Sequence, residues 1–84
     1  MKLSIELFTT TDCQNCKIAK MILEQYGLNF IEKNIELNED FKKEFIEKTQ
    51  GQKYVPTLIL NDNIYVNIKP HELLALVQKI MSKK

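Results

Sequence analysis

Cys13 and Cys16 are the residues of this sequence whose type and spacing could carry redox chemistry. A Cys-x-x-Cys spacing puts both sulfurs on one side of a helical turn, within reach of a disulfide. The thiolate is the nucleophile in disulfide exchange, and the free N–H groups and macrodipole at a helix N-terminus stabilise an anion. The spacing therefore favours thiol–disulfide exchange, with Cys13 attacking from the helix start and the more buried Cys16 resolving the mixed disulfide.

A metal site is the other chemistry open to such a pair. A closed zinc site needs four ligands, and beyond the two cysteines the chain offers only His71 and carboxylates. A metal site within one chain is therefore disfavoured, and no residue is assigned as a metal ligand. An iron–sulfur cluster bridging two subunits would need only one cysteine from each chain, so a cluster carrier of this kind remains an alternative of a different class.

The composition is that of one small domain over residues 1–84. Twelve lysines and eleven acidic residues give a net charge of +1, which provides no electrostatic reason to expect a nucleic-acid or membrane partner. No apolar run approaches the roughly 20 residues that span a bilayer, and the N-terminal segment lacks the features of a signal peptide. We therefore expect a monomer in the cytoplasm.

The elements that must hold the cysteines follow from the apolar pattern. Residues 3–8 alternate as in a strand, and a helix over residues 13–26 follows. The pattern further predicts a strand over residues 29–35, a helix capped by Asn38, strands over residues 55–60 and 64–66, and a helix from Pro70. The predicted core-facing residues are Ile18, Met21, Ile22 and Tyr26 in the first helix, Phe41, Phe45 and Ile46 in the second, and Leu73, Leu74, Val77 and Ile80 in the last. The order β-α-β-α-β-β-α implies a mixed sheet covered by helices.

Along essentially its whole length the chain resembles the glutaredoxins and glutaredoxin-like redoxins. The resemblance rests on residues 8–16 (FTTTDCQNC) and residues 51–56 (GQKYVP). It implies a single glutaredoxin-like domain with the α/β thioredoxin fold, in which a four-stranded mixed sheet is flanked by three helices. It also implies that Pro56 follows a cis peptide bond opposite the cysteines, with an ordinary edge-strand proline as the alternative.

The same resemblance implies a thiol–disulfide oxidoreductase that reduces protein disulfides or glutathione mixed disulfides. Glutathione would be a co-substrate, and no cofactor would be tightly bound. The Val55 backbone would pair with glutathione or a substrate peptide as a neighbouring β-strand does. The site residues it predicts are Cys13 and Cys16 for catalysis, and Gln14, Lys53, Tyr54, Val55 and Pro56 for substrate binding.

Three features depart from the usual glutaredoxin pattern. Thr10 stands where many members have a lysine that binds glutathione, and Asn15 stands where many have a tyrosine. Residues 67–72 (NIKPHE) replace a Gly-Gly and an acidic pair, which leaves Glu72 as the only acid there. This segment partly matches the redoxins that receive electrons from thioredoxin reductase and reduce ribonucleotide reductase. Thioredoxin reductase is therefore the alternative electron source, and ribonucleotide reductase the alternative partner.

Overall fold

The computed structural model describes residues 4–82, so that residues 1–3, which include the start of the predicted first strand, and residues 83–84 lie outside the description. The elements are β1 (Ile5–Thr9), α1 (Gln14–Gln25), β2 (Ile31–Asn34), α2 (Glu39–Thr49), β3 (Thr57–Leu60), β4 (Asn63–Tyr65) and α3 (Pro70–Ser82). The predicted order of strands and helices is confirmed. The first three strands each begin two residues later than the apolar pattern predicts.

The four strands form one mixed sheet in the order β2-β1-β3-β4. β1 pairs in parallel with β2 and antiparallel with β3, and β3 pairs antiparallel with β4. Phe8, near the end of β1, lies opposite Thr57 at the start of β3. The loop that leads from β1 into α1 and the segment that precedes β3 therefore emerge at the same end of the sheet.

The core has two parts, one on each face of the sheet. The larger cluster contains residues of β1, β3, α1 and α3 and the segment before α3: Ile5, Leu7, Ala19, Leu23, Leu58, Leu60, Ile68, Leu73 and Val77. The smaller cluster lies under α2 and contains Phe8, Phe45 and Ile59, with Ile35 and Val55 packed against it. Alternate residues of β1 and β3 thus supply the two faces, as the pleat of a strand requires.

Three residues predicted to face the core are instead exposed: Met21 by 65%, Ile46 by 45% and Leu74 by 37%. In α1 the buried stripe consists of Cys16, Ala19 and Leu23. A search for large apolar residues passes over Cys16 and Ala19, although two residues that it selects, Ile22 and Tyr26, are partly buried and pack against the larger cluster.

The helix ends are fixed by local hydrogen bonds. Asn38 caps α2, as predicted, because its side-chain oxygen accepts the Phe41 N–H at 3.1 Å. After α1, Gly27 adopts a φ of 70°, and the Leu28 N–H donates to the Leu23 carbonyl at 3.0 Å. This arrangement is a Schellman motif, in which the left-handed conformation favours glycine.

No helix within residues 4–82 has both the length and the apolar character needed to cross a membrane.

Candidate active site

The cysteine pair lies at the start of α1, where the sequence places it. Cys13 is the N-cap residue, with an extended backbone, and its Sγ accepts the backbone N–H of Cys16 at 3.0 Å. The two sulfurs are joined in a disulfide, which is the oxidised state of a Cys-x-x-Cys pair. Cys13 is half-buried, whereas Cys16 is 1% exposed. An attacking sulfur can therefore reach Cys13 more readily than Cys16.

The end of β1 is anchored to α1 by a polar link behind the cysteines. Thr9 is fully buried, and its hydroxyl donates to Glu32 at 2.9 Å. Glu32 in turn forms an ion pair with Lys20 of α1 at 3.1 Å. Lys20 and Glu32 therefore link α1 to β2, and the Thr9 hydroxyl links both to β1.

The loop between β1 and Cys13 is held by the connection that follows β2. The Thr11 N–H donates to the Glu36 carboxylate at 2.8 Å. The Asn34 side-chain oxygen accepts the N–H groups of Glu36 and Leu37 and so fixes that connection. Sequence reasoning did not identify Asn34 and Glu36; an asparagine at the end of a strand is the local signal of such an Asx turn.

The segment before β3 contains the second part of the site. The Val55–Pro56 peptide bond is cis, which confirms what the family resemblance implies. Pro56 is fully buried, and its carbonyl accepts the Ile68 N–H at 2.9 Å. The Thr57 hydroxyl donates to the Tyr54 carbonyl at 2.8 Å. This segment is therefore held from β3 on one side and from the segment before α3 on the other.

The remaining predicted binding residues lie at the surface. Gln14 is the exposed first residue of α1, and Tyr54 is 60% exposed. Lys53 lines an apolar groove of about 360 Å³ with Lys42 and Ile35. A second groove, of about 660 Å³, shares Lys42 and Ile35 and extends to Thr10 in the active-site loop. The two grooves together place Lys53 and Thr10 on one continuous surface, which is not lined by Gln14 or Tyr54.

Residues 67–72 comprise the segment before α3 and the first three residues of that helix. Asn67 has a φ of 54°, and the Glu72 carboxylate accepts the Lys69 N–H at 2.8 Å. Glu72 thereby accepts the N–H of the residue before α3, as the glutamate of a capping box does. His71 is exposed. Across the part of the chain that the structure describes, no group of three or more His, Cys, Asp or Glu side chains is arranged to hold a metal ion.

The chain is similar to known glutaredoxins in sequence. The family model described as Glutaredoxin matches residues 5–72. A curated relative, a probable glutaredoxin from Synechocystis sp., is 29% identical over 62 residues, which cover 74% of this chain and 57% of the relative. The chain thus spans little more than half the length of the curated relative it matches.

The fold is also shared with solved structures of this group. Glutaredoxin 1 from Francisella tularensis is 21% identical with a TM-score of 0.73, over 98% of this chain and 100% of that chain. The glutaredoxin-like protein NrdH-redoxin from Escherichia coli is 23% identical with a TM-score of 0.70, over 87% of this chain and 93% of that chain. These likenesses show the thioredoxin fold. The family match over residues 5–72 establishes that the chain belongs to the glutaredoxin family.

Proposed function

We propose that this protein is a thiol–disulfide oxidoreductase that reduces protein disulfides or glutathione mixed disulfides, acting as a monomer in the cytoplasm. The observation that carries the proposal is the hydrogen bond from the Cys16 N–H to the Cys13 sulfur at the N-terminus of α1. An N–H group aimed at sulfur, together with the helix dipole, favours negative charge on Cys13. Cys13 is then the nucleophile, and the buried Cys16 is the resolving cysteine.

The reaction proceeds by two sulfur exchanges. The Cys13 thiolate attacks one sulfur of the substrate disulfide, whose S–S bond breaks; the leaving thiolate takes up a proton, and a mixed disulfide with Cys13 remains. The Cys16 thiol releases its proton to solvent, attacks the Cys13 sulfur and expels the second substrate thiolate. The product is the Cys13–Cys16 disulfide. Two glutathione thiols then supply two electrons, forming glutathione disulfide and restoring both protein thiols.

Two features support glutathione as the co-substrate. Glutathione carries two carboxylates, and Lys42 and Lys53 line the apolar groove; neither forms an ion pair within residues 4–82. The main chain of Val55, next to the cis peptide bond, can pair with an extended peptide backbone. Lys53, Tyr54, Val55 and Pro56 would then form one wall of the binding site, with Gln14 as a polar contact beside Cys13.

Replacing each cysteine in turn tests the two roles. On a glutathionylated peptide with glutathione as reductant, Cys16→Ser keeps activity, because glutathione can resolve the Cys13 mixed disulfide. Cys13→Ser loses activity, because serine cannot form that disulfide. The measurement is NADPH consumption coupled through glutathione reductase. An active Cys13→Ser variant and an inactive Cys16→Ser variant would reverse the assignment.

A reductase-dependent redoxin that donates electrons to ribonucleotide reductase is the second candidate. It is favoured by the hydrogen bond that the Lys69 N–H donates to Glu72. Glu72 is the one acid in residues 67–72, and this hydrogen bond already occupies its carboxylate. This candidate is also favoured by the neutral Thr10 beside the cysteines. The discriminating experiment supplies a model disulfide with either glutathione and glutathione reductase or thioredoxin reductase, each with NADPH. Activity with thioredoxin reductase alone would select this candidate, and activity with neither would refute both.

A further inference from the structure

The segment of residues 54–56 is fixed at its two ends and free in its middle. The Tyr54 carbonyl accepts the Thr57 hydroxyl, and the Pro56 carbonyl accepts the Ile68 N–H. Between them, neither the N–H nor the carbonyl of Val55 has a hydrogen-bond partner among the residues that the structure describes. The N–H and the carbonyl of Val55 are therefore available to a substrate and lie between two anchored carbonyls.

Thr57 is well suited to act as an anchor. Its side chain is fully buried, and its backbone is paired with Phe8 at the start of β3. A β-branched side chain on a strand has few rotamers, so its hydroxyl points in a defined direction. That hydroxyl forms a single hydrogen bond, to a carbonyl three residues earlier, across the cis peptide bond. Tyr54 itself is largely exposed, and nothing else found in the described chain holds its carbonyl.

We propose that Thr57 is a positioning residue, whose hydroxyl holds the Tyr54 carbonyl so that the Val55 main chain is presented to the substrate. This inference rests on the proposed function and deepens it, because it assigns substrate affinity to a buried hydroxyl that acts through the Tyr54 carbonyl. A threonine that served only to fill the core would act differently. Valine has almost the same shape and no hydroxyl, and it would replace such a threonine without an effect on substrate binding.

The chain provides a matched control for this substitution. Thr49 of α2 is also buried, and its hydroxyl donates to the Phe45 carbonyl at 2.7 Å. Thr49→Val therefore removes the same kind of hydrogen bond from a buried site, at a hydroxyl that forms no hydrogen bond with the segment of residues 54–56. A general effect of losing a buried hydroxyl should appear in both Thr57→Val and Thr49→Val. An effect on the position of the Val55 main chain should appear in Thr57→Val alone.

The experiment compares wild type, Thr57→Val, Thr57→Ser and Thr49→Val on a glutathionylated peptide with glutathione, glutathione reductase and NADPH. We expect Thr57→Val to raise KM for the peptide about three- to tenfold, the range that one net hydrogen bond accounts for, with kcat within about twofold of wild type. Thr57→Ser, which keeps the hydroxyl, should restore KM. The rate at which iodoacetamide alkylates reduced Cys13 should be the same in all four proteins.

A second measurement is independent of activity. Backbone order parameters from NMR relaxation of the oxidised protein should be about 0.85 for Tyr54 and Val55 in wild type and fall towards about 0.6 in Thr57→Val, with recovery in Thr57→Ser. If Thr57→Val does not fold, Thr57→Ala takes its place. Equal KM values and equal order parameters in the valine and serine variants would overturn the inference. Absence of turnover in wild type would refute the proposed function, while the order parameters would still decide the role of Thr57.

Discussion

At the scale of single residues, Cys13 combines two roles that are normally held by different side chains. Helix N-caps are usually Ser, Thr, Asp or Asn, whose oxygen accepts an N–H of the first turn. Here the Cys13 sulfur accepts the Cys16 N–H in that place. The contact that begins α1 is thus the same contact that would stabilise negative charge on the nucleophile.

This double role predicts a difference between two replacements of Cys13. With Cys16 changed to serine in both proteins, so that no disulfide can form, Cys13→Ser keeps a capping acceptor and Cys13→Ala removes it. We expect the alanine protein to be less stable by about 0.5–2 kcal/mol, the usual cost of losing a cap. Urea unfolding followed by circular dichroism measures the difference.

The cap of α2 provides the calibration for that comparison. Asn38 caps α2 through its side-chain oxygen, so Asn38→Ala should lose a similar free energy of unfolding. If Asn38→Ala is destabilised while the Cys13 serine and alanine proteins are equally stable, a side-chain acceptor at position 13 does not stabilise the start of α1.

The sequence was sufficient to identify the residues of the site that form local motifs. Cys13 and Cys16 are recognisable from their spacing, and Pro56 from the residues that precede it. Glu36 and Ile68 were not identified, because their contacts with Thr11 and Pro56 join parts of the chain that only the folded sheet brings together. Thr57 is adjacent to Pro56 in sequence, but the direction of its hydroxyl depends on the turn before β3.

At the scale of elements, α2 is tied to the sheet by a cluster of alternating charges. Its members are Glu6 of β1, Lys33 of β2, and Glu44 and Lys48 of α2. Each lysine nitrogen lies within 3.2 Å of both carboxylates. The Lys33 side chain is only 12% exposed, and its nitrogen lies 5.7 Å from the centre of the Phe8 ring. A cluster with such a buried member is less screened by solvent than an isolated surface pair.

This cluster predicts how stability depends on pH. Hydrogen bonds from Lys33 and then Lys48 lower the pKa of Glu44 from its ordinary value of 4.5. A carboxyl with a lowered pKa in the folded state stabilises the protein above pH 4.5, and this contribution is lost as pH falls through the lowered value. Urea unfolding at pH 7, 4.5 and 3 should therefore show that Glu44→Gln costs about 0.5–1 kcal/mol at pH 7 and less at pH 3.

At high pH, the contribution of the cluster to stability is limited by Lys48. Its hydrogen bond to Glu44 raises the pKa of Lys48 above 10.5, so the contribution of Lys48 to stability is complete below pH 10.5 and is lost as pH rises through the raised value.

The control for Glu44→Gln is Glu24→Gln, because Glu24 is exposed and has no ion pair within residues 4–82. A Glu44→Gln penalty that is the same at pH 7 and pH 3 would show that the cluster contributes nothing through ionisation of Glu44.

The apolar pattern predicted that the three helices exist, and it predicted their buried faces only in part. Phe45, Leu73 and Val77 are buried as expected, whereas Ile46 and Leu74 are not. A helix that covers one side of a small sheet buries only a narrow stripe, so an apolar residue one position beyond the stripe reaches solvent. The width of that stripe depends on how far the sheet extends beneath the helix. The apolar periodicity of the sequence carries no information about that extent.

At the scale of the whole molecule, the two faces of the sheet differ in how much core they hold. Nine buried residues form the cluster shared by α1 and α3, whereas three form the cluster under α2. The sequence predicted the order of elements and the mixed sheet because each follows from local patterns and short connections. It did not predict this asymmetry, because the assignment of each helix to a face is decided by the crossover of the chain.

The asymmetry predicts that α2 opens separately from the rest of the molecule. A helix held by few buried apolar contacts exchanges its amide protons through local opening, at a free energy below that of global unfolding. Native-state hydrogen exchange at neutral pH should give amides of α2 an opening free energy at least about 1 kcal/mol below that of amides in β1. The central position of β1, paired on both sides, makes it the reference.

Two core substitutions separate local from global opening. Phe45→Leu thins the small cluster and should lower the opening free energy of α2 amides more than that of β1 amides. Leu73→Ala removes a fully buried side chain from the large cluster and should lower the opening free energy of β1 amides by about 2–5 kcal/mol. Because Val55 packs against the small cluster, opening of α2 would also loosen one wall of the proposed substrate site. If α2 and β1 amides exchange with one common free energy in wild type, and both variants lower it uniformly, the protein opens as a single unit and the two faces are energetically inseparable.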